Sequence, residues 1–220
     1  MKASLPLHGA NLFPANVPQF RETVLVYLAA MMRLGHTLMA GIALSLGLEE
    51  SYFHDCYTSE PPTLFRIFNY PPASPALGDE GRWDVGEHTD YGLLTILRQD
   101  QSGGLQVKSK SGWADTVSVP GSFVCNIGDM VDRMTGGLYK STPHRVKHRS
   151  GQHQMSFPFF FNPNFNAEVR RIEGIPAEAV SDDRDERGDG QSVHEFRETY
   201  GEYLLNKVAK AFPELRRDVL

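Results

Sequence analysis

The feature that most limits the fold is a run of short, β-rich segments between residues 63 and 161. Each is rich in β-branched or aromatic residues, and Gly, Pro and Ser turn signals separate it from the next. Seven such segments within about a hundred residues leave no room for helices between strands, so we predict an antiparallel sandwich or barrel. The predicted strands are Thr63–Tyr70, Leu93–Arg98, Gly104–Ser109, Trp113–Val119, Phe123–Ile127, Pro143–Lys147 and Gln154–Phe161.

A helical pattern precedes this β-rich region. Apolar residues from Phe20 to Ile42 recur at a mean spacing of about 3.7 residues, which matches one face of an α-helix. Gly47 is a plausible stop, and Leu48–Cys56 is predicted to add a short second helix.

The chain is predicted to close with another helix. Ser192 and Glu195 have the spacing of a capping box and predict a C-terminal helix over 191–213. The charged stretch 181–190 is predicted to be a solvated loop without chemistry of its own. We therefore predict one domain over 1–220, with a helical flank (1–60), a β core (61–170) and this final helix.

Composition narrows the partners and the compartment. The net charge is −5 and there is no basic block, so we expect no nucleic-acid partner. The two cysteines, Cys56 and Cys125, form neither a disulfide framework nor a zinc-binding pair, which favours a reducing compartment. With no apolar run long enough to span a bilayer and no signal peptide, we expect a cytoplasmic protein without a membrane partner.

One His-Thr-Asp sequence has the pattern of a metal site. On a strand, His88 and Asp90 would project to the same face. That pair alone is weak evidence, because eight histidines and 27 acidic residues in 220 produce roughly one such pair by chance. His144 lies in another predicted strand, and an antiparallel barrel can bring it opposite the pair. Two imidazoles and one carboxylate form the facial triad of non-haem Fe(II) oxygenases, unlike the closed Cys/His sets of structural zinc.

Several motifs occur in a recognisable order and spacing across about Phe65–Pro163. They are GEHTDYGLLTILRQD, GGLQV, GDM, YKSTPHRV and SFPFFFNP. Together they resemble the catalytic core of the isopenicillin N synthase-like family of Fe(II)/2-oxoglutarate-dependent oxygenases. The resemblance implies a mainly β fold, a double-stranded β-helix (jelly roll) with a long N-terminal helix and a C-terminal helix. It also implies that His88, Asp90 and His144 bind iron.

The same resemblance implies an activity: the oxidation of a small organic substrate with O2 and 2-oxoglutarate, which releases succinate and CO2. Tyr70 matches a tyrosine that reaches the co-substrate carboxylate in this family. Ser156 matches the serine of the family's Arg-x-Ser pair, but Gln154 stands where the arginine is expected. Because an amide lacks the fixed charge and bidentate geometry of a guanidinium, we expect 2-oxoglutarate to bind about tenfold more weakly or worse.

Three alternatives remain at this point. The first is an O2-dependent oxidase that uses no 2-oxoglutarate, and the second is a non-catalytic, truncated relative on the same fold. A zinc hydrolase is disfavoured, because Glu87 is predicted to face away from the ligands and no other general base stands beside them.

Family members usually carry a longer N-terminal portion that covers a sheet edge. An uncovered edge would pair with another chain, so we also expect self-association.

Overall fold

The computed structural model describes residues 5–72, 83–147, 153–176, 184, 187, 190, 192–195 and 198–213. Its contacts divide the chain into two compact units. One comprises residues 1–62, 163–169 and 197–220, and the other comprises 63–162 and 170–196. The organisation as a single domain over 1–220 stays a prediction.

The unit that contains residues 63–162 is built from two antiparallel sheets. The strands are β1 (Thr63–Phe65), β2 (Phe68–Tyr70), β3 (Val85–His88), β4 (Leu94–Gln99), β5 (Leu105–Ser109), β6 (Gly112–Asp115), β7 (Val124–Ile127), β8 (His144–Val146) and β9 (Gln154–Phe161). In the five-stranded sheet the order is β1-β9-β4-β7, and β2 also pairs with β9; in the four-stranded sheet it is β3-β8-β5-β6. Successive strands along the chain mostly alternate between the sheets, which is the topology of a jelly roll, and the predicted fold class is confirmed.

Strand β9 organises the larger sheet. Its predicted and observed bounds coincide, and it pairs with β1, β2 and β4. Phe159 and Phe161 are fully buried opposite Ile96 and Leu94 of β4. Residues two apart on a strand share a face, so the opposite face of β9 carries Gln154 and Ser156.

A short helix that the sequence did not predict follows β7. Helix α3 spans Asp129–Thr135, and all of its residues are buried. Gly128 precedes it with an extended backbone, and a side chain at that position would collide with the carbonyl oxygen of Gly92. Gly136 ends the helix with a φ of 61°, the left-handed region that favours glycine.

The other unit contains the two flanking helical regions. Helices α1 (Phe20–Ser45) and α2 (Tyr52–Tyr57) lie where the sequence predicted helices. By length and composition alone α1 is apolar enough to cross a membrane, a criterion that core helices of globular proteins also meet. The absence of a membrane partner therefore stays a prediction.

The C-terminal helix begins later than predicted. Helix α4 spans Tyr200–Ala211, so the predicted start at 191 is wrong. The capping box is formed by Thr199 and Glu202, whose side chains accept from each other's backbone N–H groups. The Ser192 hydroxyl instead accepts from the backbone of His194 within a turn. The sequence contains two capping-box patterns, and only the second is followed by buried tyrosines at helical spacing, Tyr200 and Tyr203.

Candidate metal centre

The two predicted histidine ligands stand side by side on neighbouring strands. His88 ends β3, His144 begins β8, and the two residues are directly paired in the antiparallel register. Their ring centroids are 4.3 Å apart. Directly paired residues project from the same face of a sheet, so the pairing alone brings the imidazoles together.

Asp90 joins the histidines from outside the strand. It lies two residues beyond the end of β3, so strand alternation is not what places it. The buried carboxylate faces both rings, with Oδ1 3.9 Å from His88 Nε2 and Oδ2 3.7 Å from His144 Nε2. One potential ligand atom from each of the three residues lies within 4.8 Å of the others.

Hydrogen bonds from outside the triad orient each of its side chains. His88 Nδ1 lies 2.8 Å from the Gly86 carbonyl oxygen, and His144 Nδ1 lies 3.1 Å from that of Thr142. A carbonyl oxygen can only accept, so each Nδ1 carries the proton and each Nε2 presents a lone pair to the centre. The Asn126 amide on β7 donates to Asp90 Oδ2 at 2.7 Å.

The surroundings of His88 favour its metal-binding form. Burial is the main cause that lowers the pKa of His88 below 6.5, and the neighbouring His144 lowers it further, against an opposing effect of Asp90. Metals bind the neutral imidazole, so a lowered pKa keeps the ligand competent at neutral pH.

The donor set fits a ferrous ion. Two imidazole nitrogens and one carboxylate oxygen converge, and among the described residues no further His, Cys or carboxylate joins them. A facial set of this type leaves the remaining coordination positions open, which suits catalysis and does not suit a closed structural site.

The three predicted co-substrate residues also lie together. Tyr70 pairs directly with Gln154 across β2 and β9, and the Tyr70 hydroxyl makes a hydrogen bond with the Ser156 side chain. All three residues are buried, and burial raises the pKa of Tyr70, so its hydroxyl stays protonated. Gln154 is only 2% exposed, and its Oε1 is buried without a hydrogen-bond partner among the described residues.

Contacts across the two sheets show that both residue sets face the interior of the jelly roll. A Cβ atom at Gly104, next to β5 of the four-stranded sheet, would lie 3.2 Å from Gln154 Oε1 on β9 of the five-stranded sheet. Asn126 on β7 of the five-stranded sheet likewise reaches Asp90 beside β3 of the four-stranded sheet. The sheets therefore enclose the triad and the co-substrate residues between them.

One further correction concerns the charged stretch 181–190, much of which lies outside the described residues. Arg187 was predicted to be solvated with its neighbours, but it is buried and ion-paired with Asp129 and Asp132. Three partners 46 to 58 residues away hold it, and local charge density gives no signal of such contacts.

Comparison with known proteins agrees with this geometry. Residues 62–163 match the model of the 2OG-Fe(II) oxygenase superfamily. A Dictyostelium discoideum protein named probable iron/ascorbate oxidoreductase is 50% identical over an alignment that covers 99% of this chain and 66% of that protein. The chain belongs to the 2OG-Fe(II) oxygenase superfamily.

Other relatives of this superfamily member carry more specific names. A Dictyostelium mucoroides 1-aminocyclopropane-1-carboxylate oxidase is 35% identical and aligns with 94% of this chain. A full-length Neurospora crassa protein, solved in complex with alpha-KG, superposes with a TM-score of 0.76 at 30% identity and covers 93% of this chain. The chain spans 66% of the length of the oxidase and 62% of the Neurospora crassa protein.

Proposed function

We propose that this chain is the core of a non-haem Fe(II) oxygenase that uses O2 and 2-oxoglutarate to oxidise a small organic substrate. The products from the co-substrate are succinate and CO2. The observation that carries the proposal is the convergence of His88, Asp90 and His144 within 4.8 Å, with no fourth ligand among the described residues, in a member of this superfamily.

The charge of the triad suits an anionic co-substrate. When bound, a ferrous ion supplies O2 activation and the oxidative decarboxylation of the keto acid. The chain contributes two neutral imidazoles and a single carboxylate to a doubly charged cation. The positive charge that remains favours a dianion such as 2-oxoglutarate. The Asn126 hydrogen bond keeps the Asp90 carboxylate in place for this role.

Tyr70, Ser156 and Gln154 are the proposed contacts for the co-substrate. The hydroxyls of Tyr70 and Ser156 and the amide N–H₂ of Gln154 can each donate a hydrogen bond to a carboxylate. None of the three carries a positive charge, and charge-assisted hydrogen bonds are about twice as strong as neutral ones. We therefore expect 2-oxoglutarate to bind, but more weakly than it would with an arginine at position 154.

The direct test combines metal binding, co-substrate binding and turnover. The chain should bind one Fe(II) under anaerobic conditions, bind 2-oxoglutarate at millimolar concentration, and then form succinate when O2 is admitted. Asp90→Ala should abolish all three, whereas Glu87→Gln, an exposed change beside His88, should preserve them. Stoichiometric Fe(II) binding without 2-oxoglutarate binding would contradict the proposal.

A second candidate is an O2-dependent oxidase that needs no 2-oxoglutarate. The neutral Gln154 raises this alternative, because a fixed positive charge is missing at the predicted carboxylate site, but it does not single it out. It predicts O2 uptake that added 2-oxoglutarate does not change, together with no succinate. A non-catalytic relative would bind Fe(II) and consume no O2 in the presence of either compound.

The remaining partners and the location belong to the same proposal. A small-molecule substrate and O2 follow from the superfamily. The acidic balance of the chain supports the absence of a nucleic-acid partner. Its two cysteines are free and exposed, which supports a reducing, cytoplasmic location.

A further inference from the structure

A buried ionic cluster lies beside the metal ligands. Arg187 Nη1 is 2.7 Å from Asp129 Oδ1, and Arg187 Nη2 is 3.1 Å from Asp132 Oδ2. The three side chains are 6%, 0% and 5% exposed. His194 Nε2 and the Ser141 hydroxyl contact the Asp132 carboxylate at 3.3 Å and 3.1 Å. We refer to these five residues as the Arg187 cluster.

The cluster is connected to the segment that carries Asp90. The backbone N–H of Asp129 donates to the Asp90 carbonyl oxygen at 2.8 Å. Arg187 Nη1 also approaches Thr89 Oγ1, between the ligands His88 and Asp90, at 3.5 Å. The position of this ligand segment thus depends on where the cluster holds α3.

The same cluster is connected to the segment that carries His144. The backbone N–H of Ser141 donates to Asp132 Oδ2 at 2.9 Å, and Arg187 Nη2 lies 3.2 Å from the Ser141 hydroxyl. Ser141 immediately precedes Thr142, whose carbonyl oxygen orients the His144 ring. One guanidinium therefore contacts the supports of both ligand segments.

We propose that Arg187 is a positioning residue for the metal, which keeps the Asp90 segment and the His144 segment at the separation that a metal ion needs. This inference rests on the proposed metal centre. Its physical basis is the pairing of two buried carboxylates by one planar cation. Without Arg187, Asp129 and Asp132 would be buried without that counter-ion, and α3 would shift to hydrate them, moving both ligand segments.

The test is a Co(II) titration of the full chain, followed by the visible absorption of the bound ion. Arg187→Met, which keeps an apolar stem but removes the guanidinium, should raise the Co(II) dissociation constant about 10- to 100-fold and change the shape of the visible absorption band of the bound Co(II). Arg187→Lys keeps the charge but not the bidentate fork, so its Co(II) dissociation constant should lie between those of wild type and Arg187→Met. Arg184→Met is the matched control, since Arg184 is exposed in the same stretch and pairs with Glu195; its titration should match wild type.

The outcomes separate this inference from the proposed function. Wild-type chain that binds no Co(II) would overturn the metal centre and the inference together. Circular dichroism shows whether Arg187→Met is folded. If the folded variant binds Co(II) with the same dissociation constant and the same spectrum as wild type, the inference alone is overturned. If Arg187→Met does not fold, Asp132→Asn takes its place, because it removes one carboxylate of the cluster and should also weaken Co(II) binding.

Discussion

At the scale of single residues, the orientation of Asp90 depends on one hydrogen bond. The Asn126 amide holds Oδ2 at 2.7 Å, and loss of a partner outside the ligand set typically weakens metal binding 10- to 100-fold. We expect Asn126→Ala to raise the Co(II) dissociation constant by about tenfold, measured by anaerobic titration.

A matched control for Asn126→Ala lies on the neighbouring strand β4. Thr95 pairs with Asn126 in the register, and its buried hydroxyl has no hydrogen-bond partner among the described residues. Thr95→Val should leave Co(II) affinity unchanged and be neutral or slightly stabilising. Equal affinities for Asn126→Ala and wild type would show that the Asp90 carboxylate needs no such support.

Gln154 offers a gain-of-function prediction. Gln154→Arg should strengthen 2-oxoglutarate binding to the metal-loaded chain by about tenfold or more, because it restores a charged, bidentate donor. Gln154→Met, an apolar change of similar volume, should weaken binding. Calorimetry with 2-oxoglutarate measures both, and a weaker Gln154→Arg complex would place the carboxylate elsewhere.

The residues that the sequence identified and those it missed differ in a physical way. His88, Asp90 and His144 are residue types that bind metals, and they lie within the GEHTDYGLLTILRQD and YKSTPHRV motifs, so motif and chemistry predicted them together. Asn126 and Arg187 act through contacts 36 and 55 to 58 residues away along the chain. Such contacts exist only once the sheets have formed, and neither residue type is distinctive in its local sequence.

At the scale of elements, the start of α4 provides a prediction with a built-in control. Thr199 is the observed N-cap, and loss of a threonine cap typically costs about 1 kcal/mol. Thr199→Ala should lower the free energy of unfolding by about that amount in urea titrations. Ser192→Ala, at the cap predicted from sequence, should change the free energy of unfolding little, because the described residues 193–195 after it form a turn and not a helix. A larger loss for Ser192→Ala than for Thr199→Ala would instead support the predicted helix start at Ser192.

The packing of α1 against α2 predicts a pH dependence of stability. The rings of His36 and His54 meet edge to face, with centroids 5.2 Å apart. Burial is the main cause that lowers the pKa of His36 below 6.5, and His54 lowers it further. The unfolded chain therefore binds the proton more readily than the folded chain. The stability that the folded chain has with an unprotonated His36 is therefore complete above pH 6.5. It is lost as the pH falls through the lowered pKa of His36.

The measurement compares urea unfolding of metal-free wild type and His36→Gln over a series of pH values. The difference between the two curves isolates the contribution of His36. We expect wild type to lose more stability than His36→Gln as the pH falls, and His54→Gln, which leaves burial as the cause, to lie between them. Parallel curves would mean that His36 titrates alike in the folded and unfolded chains.

Elements were predictable where local pattern and long-range pairing agree. Strand β9 has a strand-like composition and pairs with three other strands, and it was found with its predicted bounds. Strand β3 was not among the predicted strands: its sequence, Val-Gly-Glu-His, lacks a strand-like composition, and it forms because β8 pairs with it. Helix α3 was missed for a similar reason, since the close approach of Gly128 to Gly92 is invisible along the chain.

At the scale of the molecule, the metal centre depends on the packing of both sheets. His88 and His144 belong to the four-stranded sheet, whereas Asn126, which orients Asp90, belongs to the five-stranded sheet. Strands of the two sheets mostly alternate along the chain, so neither sheet alone contains the whole site. The candidate ligands were therefore predictable from sequence motifs, while the distances between them required the assembled jelly roll.

The remaining prediction is that the chain associates with itself through the edge of a sheet. Strand β7 lies at the edge of the described five-stranded sheet, and Cys125 within it is exposed. An edge strand is a template for pairing with a second chain, and a lysine on such an edge opposes pairing. Under reducing conditions, sedimentation should show a mass that rises with concentration, and Cys125→Lys should reduce this rise. Cys56→Lys, at an exposed cysteine on α2, should not. A constant monomer mass for wild type would show that the β7 edge does not pair.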